Sequence, residues 1–422
     1  MSQRTYHDPL HHGITLDDAN RAEALVMTLI DAAPFQRLRR IRQLGPAFLT
    51  FHGAESSRFT HSLGVFHLAR LALKNLSRLD PSLKEEQGLL YAAALLHDIG
   101  HGPLSHTGEE MFGLHHETWS AAVIRRHPAI RDPLNAFSPG MAEAVADLLE
   151  HGIAQRSVIK RLVSSQLDCD RLDYLLRDSY TTGARYGQLD TERILSGLTL
   201  SPDGDLAIHP KGLMAVEHYL VVRNLMYRSV YNHRLNIVCN WILERLVEQA
   251  RQLGPDRVWA DPVMERWLWD RNSIDLTTFL ANDDLRTGYH LQRWREEAPR
   301  PLADLCERFL DRRLLKATAV GHLNSGDQLR ALAIARVLAE TAGHDPDLCC
   351  GLRHQQQRGY HPYKGGLRLW DGCRLQALEQ ASALVQSLST PAASAWLIHP
   401  GEIADELGQD LAETRASSLP AT

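Results

Sequence analysis

Leu95-Leu96-His97-Asp98-Ile99-Gly100-His101-Gly102 follows the apolar run Leu89-Leu90-Tyr91-Ala92-Ala93-Ala94, which reads as a buried helix. A histidine and an aspartate at the end of such a helix are costly in apolar surroundings unless something compensates them. A divalent cation does so, because neutral imidazole and carboxylate suit Mn, Mg, Fe, Co or Zn. Adjacent helical residues point about 100° apart, so both reach one ion only in a groove between helices. Gly100 and Gly102 are read as thinning the backbone where a ligand approaches.

Further ligands must come from elsewhere in the chain. Arg58-Phe59-Thr60-His61-Ser62-Leu63-Gly64 opens a helix, with Thr60 as expected N-cap and His61 in the first turn. Ser165-Gln166-Leu167-Asp168-Cys169-Asp170-Arg171-Leu172-Asp173-Tyr174 puts Asp170 and Asp173 on one helical face. His61, His97, Asp98 and Asp170 then form the expected metal set. His7-Asp8 repeats the dipeptide but precedes a proline and lacks an apolar helix, so it reads as a turn.

This pattern resembles the HD-domain metal-dependent phosphohydrolases, most closely the branch containing deoxynucleoside triphosphate triphosphohydrolases. The likeness runs from about Tyr6 to His233 and is weaker in the C-terminal third. It implies that His106 is the proton-transferring histidine, with His101, His116 and Glu117 assisting at the phosphates or behind the ligands. A histidine suits proton transfer because its ordinary pKa lies near neutrality. His115 reads as an exposed loop residue. Gln43-Leu44-Gly45 match a stretch that meets the 3′-hydroxyl, so Gln43 and Leu44 are expected at the sugar. Tyr174 and Asp178 match the residues that close the space for a 2′-hydroxyl and contact the sugar; from residue type alone Tyr174 equally suits a core tyrosine.

A triphosphate needs more positive charge than a metal provides, which favours arginines. Arg58 lies one helical turn from His61, and Arg171 follows Asp170. Arg223, Tyr231 and His233 lie in Arg223-Asn224-Leu225-Met226-Tyr227-Arg228-Ser229-Val230-Tyr231-Asn232-His233. Residue types alone suggest a solvated face there; the family's own Arg-Asn…Tyr-x-His pattern turns it toward substrate. Asp31, Gln36 and Arg39 match positions that bind an activating guanine nucleotide in the sterile-alpha-motif-and-HD-domain enzymes, although a dimer face is an equal reading.

The chain has 422 residues, 44% hydrophobic and 23% charged, as expected for a globular enzyme. Its formal net charge of -5 gives no overall reason to expect nucleic-acid binding. Six cysteines without a CxxC pair, and no signal-like or membrane-length apolar run, point to a cytoplasmic, reducing setting. The expected architecture is mainly α: an HD-domain helical body over residues 1–310, a small α+β lobe over 311–412, and a frayed tail over 413–422. Phe35, Leu38, Ile41 and Leu44 predict an amphipathic helix carrying four arginines, and further helices are expected at 85–99, 117–126, 140–151, 156–163, 169–180, 213–230, 236–252, 327–341 and 375–388. Residues 198–200 and 206–208 read as a hairpin. The stretch from His361 to Gly366 reads as a glycine turn or a nucleotide contact.

The expected reaction is metal-dependent hydrolysis of dNTPs to deoxynucleoside and inorganic triphosphate by a homo-oligomer, dimer or tetramer. Two alternatives stand: an HD-type phosphohydrolase acting on a monophosphate, cyclic dinucleotide or alarmone, and a non-catalytic nucleotide sensor.

Overall fold

The apolar run before His97 forms helix Gln87–Leu96 of a computed structural model that describes residues 3–150, 157–357, 359–362 and 366–418. Every residue from Gly88 to Leu96 is buried, as expected for a helix apolar on all sides. Each of its leucines contributes about 1.5–3 kcal/mol by leaving water. Helices Arg21–Asp31, Arg58–Leu76 and Met141–Glu150 pack around it, and Cys169–Thr182 lies against Arg58–Leu76. The fold is mainly helical, as the sequence suggested.

Two apolar cores share the molecule. The first surrounds Gln87–Leu96 and also takes in Tyr360, Leu367, Leu369, Leu378 and Val385 from far along the chain. The second lies around helix Arg234–Leu253, which packs against Arg300–Leu310 and His106–Phe112. An antiparallel sheet ordered Lys316–Ala319, Ala392–His399, Gly351–Gln357 joins that core, with helix Ser325–Thr341 against it. The expected hairpin pairs Leu198 with Ile208, and Ile208 also pairs in parallel with Leu369. Thus strands Arg368–Trp370 and Leu375–Ala377 extend a sheet that begins in the helical body.

Several local expectations change. The single helix over 35–44 is instead helix Ala33–Arg37, a 3-10 turn Leu38–Arg40, and a bridge at Arg42 followed by a turn. Its arginines explain the break. Arg37 is buried, donating to the carbonyls of His101 and Asn282, while Arg40 pairs with Asp283. Ser57, not Thr60, caps helix Arg58–Leu76. The helix expected over 213–230 ends at Met226 and passes into a π-helical turn, Tyr227–Tyr231. Residues 375–388 form a short strand and helices Leu378–Ala381 and Ala383–Leu388. Helix Ala404–Ser418 enters the expected tail, whose residues 419–422 lie outside the described residues, as do 363–365 of the glycine-rich stretch. Among the described residues, no helix is long and apolar enough to cross a membrane.

Candidate active site

Three helix ends bring the predicted metal set together. Capping by Ser57 puts Arg58 in the first helical turn and His61 just after it. His97 terminates Gln87–Leu96, and the chain then turns tightly, the His101 N–H donating to the Asp98 carbonyl at 3.1 Å. Asp168 caps Cys169–Thr182 and so places Asp170 in its first turn. Gly100 does not face a ligand: a Cβ there would lie 2.1 Å from the Ser120 backbone nitrogen. It lets the turn press against helix His116–Arg126, where the Ser120 hydroxyl accepts from Gly100 and donates to the His97 carbonyl. Gly102 likewise packs against Trp267.

His61 Nε2 lies 3.0 Å from Asp170 Oδ1 and 3.6 Å from Asp98 Oδ2. His97 Nε2 lies 3.4 Å from Asp98 Oδ2 and 3.7 Å from Asp170 Oδ1. Neither Nε2 has an aligned hydrogen-bond partner, although both are buried. Their other nitrogens are committed: His61 Nδ1 donates to Asp173 Oδ2 at 2.8 Å and His97 Nδ1 to the Ala94 carbonyl at 3.0 Å. Both Nε2 atoms therefore face the two carboxylates across a common centre. Two imidazoles and two carboxylates with such orphaned inner atoms fit a divalent transition-metal ion or magnesium, which would take the place of the Nε2 protons. Burial works to raise Asp98, but Arg58, His97 and His101 hold its carboxyl well below the usual range. Burial works to lower His61, but its contacts with Asp170 and Asp173 raise it to about 9.

A second cluster lies beside the first. The His101 ring is fully buried, stacked on His116 with centroids 4.0 Å apart, and edge-on to His106 at 4.9 Å. His101 Nε2 reaches to 3.3 Å from Asp98 Oδ1. Burial and the charges of Arg58 and His116 hold this imidazole neutral. Glu109 organises the cluster. It takes a hydrogen bond from His116 Nδ1 and lies 3.4 Å from His106 Nδ1. Burial would raise its carboxyl, yet His106 and His116 hold it well below its ordinary value. The His106 side chain is 66% exposed, at the mouth of the site. Glu117 is exposed but lines the same cavity, and His115 is a loop residue.

That cavity has a volume of about 420 Å³. Gln43, Leu44, Arg58, Arg171, Tyr174, Asp178 and Tyr231 line it together with His97, Asp98, His106, His116 and Asp170. Tyr227 lines it too, and the π-helical turn brings it beside Tyr231, ring centroids 4.9 Å apart. Tyr231 donates to Asp178 Oδ2 at 2.9 Å, while buried Asp178 Oδ1 has no partner. Burial pushes the Asp178 carboxyl up to about 7. Arg171 pairs with Asp168, and its Nε is buried without a hydrogen-bond partner. Arg223 is outside the cavity wall, its guanidinium 5.9 Å from the Tyr227 ring and its Nε and Nη1 without partners. His233 is also outside: its side chain caps helix Arg234–Leu253 and its ring meets Phe51.

The expected regulatory residues have protein partners. Asp31 pairs with Arg4 at 2.8 Å, Gln36 bonds the Ile30 carbonyl and Arg39, and Arg39 lies over the Phe59 ring at 3.5 Å. Two positions at the site, Glu109 and Tyr227, were missed in the sequence, and Asp173 was placed on the Asp170 face without a role. Glu109 stands three residues after His106, a spacing that could have marked it.

The HD domain family profile matches residues 58–177, and the HD associated region matches residues 189–259. YwfO, an uncharacterized protein of Bacillus subtilis, is 34% identical over 397 residues, covering 92% of this chain and 89% of that one. The deoxynucleoside triphosphate triphosphohydrolase SAMHD1 homolog of Dictyostelium discoideum is 28% identical over 60% of this chain, which spans 50% of that protein. A crystal structure of a phosphohydrolase from Bacteroides thetaiotaomicron is similar with a TM-score of 0.81 and 26% identity, covering 94% of this chain and all of that one. With the fold, the His-Asp centre and a full-length relative in agreement, the chain belongs to the HD-domain phosphohydrolase family.

Proposed function

We propose that this protein hydrolyses deoxynucleoside triphosphates to deoxynucleoside and inorganic triphosphate. The observation that carries the reading is a single cavity lined both by the His-Asp cluster with its orphaned imidazole nitrogens and by Asp178, Tyr174 and Tyr231. A divalent cation held by His61, His97, Asp98 and Asp170 would supply Lewis-acid polarisation and neutralise phosphate charge.

The chain's own residues do the rest. Water oxygen bonds to the α-phosphorus and gives up a proton to solvent as the bond to the 5′-oxygen breaks, and His106 delivers a proton to that leaving oxygen. Glu109 holds the histidine cluster in orientation. His116 and Glu117, which line the cavity, flank the phosphates, and buried His101 stands behind them. Arg171, which lines the cavity with its Nε lacking a partner, suits a phosphate oxygen, and Arg223 stands behind Tyr227 outside the wall. Gln43 Oε1 and Asp178 Oδ1, also without partners, suit sugar hydroxyls. Tyr174, edge-on to Tyr231 at 5.8 Å, fills the space that a ribose 2′-hydroxyl would need.

Chromatography of products from each dNTP and rNTP, with Mn, Mg, Fe or Co, tests this. Inorganic triphosphate from dNTPs is expected. Release of pyrophosphate or orthophosphate instead, or binding with no product under any metal, would contradict it.

A further inference from the structure

His7-Asp8, set aside above as a turn, leads to the back of the metal centre. Asp8 closes the hairpin formed by Gln3–Asp8 and His12–Asp17, and its Oδ1 accepts from the Leu10 and His11 backbone nitrogens. Asp8 Oδ2 meets Arg177 Nη1 at 2.9 Å. Arg177 then grips Asp173 through Nε at 2.8 Å and Nη2 at 2.9 Å. His11 Nε2 donates to Asp173 Oδ1 at 2.7 Å, and His61 Nδ1 donates to Oδ2 at 2.8 Å. One carboxylate thus accepts four hydrogen bonds.

Asp173 and His61 are wholly buried and Arg177 is 1% exposed. Gly64 makes room for them, since a Cβ there would lie 1.8 Å from Asp173 Oδ1. In such surroundings a carboxylate stays ionised only with partners on both oxygens. Ionised and immobilised, it fixes the Nδ1–H tautomer of His61 and aims Nε2 at the centre. The hairpin has its own anchors in fully buried Ile14 and Leu16, so His11 is not needed merely to dock it.

We infer that His11 and Asp8 are positioning residues of the metal centre, acting through Arg177 and Asp173 on His61. The inference rests on the metal-dependent reading of the site. It makes the N-terminal hairpin, far from the His-Asp dipeptide in sequence, part of what sets cation affinity.

Cobalt(II) titration of the full chain, followed by calorimetry and by visible absorption, tests this. His11→Phe keeps a ring without a donor, and His11→Gln keeps an N–H donor without the ring. His11→Phe is expected to weaken cobalt affinity by about tenfold and alter the cobalt absorption bands, and His11→Gln to restore most of both. Asp8→Asn, which keeps the turn but weakens the hold on Arg177, is expected to give a smaller loss in the same direction. Metal-free unfolding curves report whether each variant is folded. Wild-type affinity and bands in folded His11→Phe and Asp8→Asn would overturn the inference, as would equal losses in His11→Phe and His11→Gln. Failure of the wild type to bind cobalt would instead overturn the metal centre, and this inference with it.

Discussion

Two clusters of histidines and carboxylates lie side by side, and the residue types are nearly the same. In the first, His61 and His97 spend their outer nitrogens on Asp173 and Ala94, leaving both inner nitrogens without hydrogen-bond partners. In the second, Glu109 sits among His101, His106 and His116 and is itself engaged by His116 and His106. In the first arrangement buried ring nitrogens and carboxylates face one another, with the Arg58 guanidinium on Asp98. The second holds Glu109 amid its imidazoles, and His106 is open to the cavity. His101 stands between the two, its ring nitrogens also without hydrogen-bond partners and its Nε2 3.3 Å from Asp98 Oδ1.

The contrast can be broken by substitution. Asp98→Ala should abolish triphosphate release with the fold intact by circular dichroism; unchanged turnover would remove the first cluster from the chemistry. His106→Gln should lower kcat by about 10²–10⁴-fold, as for loss of a general acid, while cobalt affinity stays at the wild-type value. A fall in metal affinity there would blur the division between clusters.

Asp178 gives a pH test within the cavity. Burial raises its folded-state pKa to about 7, so the folded chain keeps a proton that the unfolded chain loses from about pH 4. The stabilisation is therefore complete below pH 4 and is lost as pH rises through about 7, at up to about 1.4 kcal/mol per unit. Urea unfolding of metal-free protein should show this decline in wild type and its absence in Asp178→Asn. The smallest effect is expected at His233, which caps a helix outside the cavity. His233→Ala should cost about 1 kcal/mol of stability and leave the KM for dNTP unchanged; a raised KM would return it to the substrate site.

Much of the His-Asp cluster was legible because its residues lie at helix ends beside apolar runs, where periodicity and capping are readable. His61, His97, Asp98 and Asp170 do approach one another as a set. What supports them was not legible. Asp173 and Glu109 look like ordinary helical carboxylates, and only the approach of His11 and His61 to the one and of His116 to the other gives them their roles. The helix expected over 35–44 failed for the same reason, since Arg37 and Arg40 find partners more than 240 residues away. The return of Leu369 to pair with Ile208 is likewise a long-range event that no local pattern announces. Gly100 was read as a ligand approach, when its service is to let two backbones touch.

Anomalous diffraction from crystals grown with manganese or cobalt tests the central claim most directly. The expected result is a peak between His61 Nε2, His97 Nε2, Asp98 and Asp170, with none among His101, His106, Glu109 and His116. A peak confined to the second cluster, with the first empty, would contradict it.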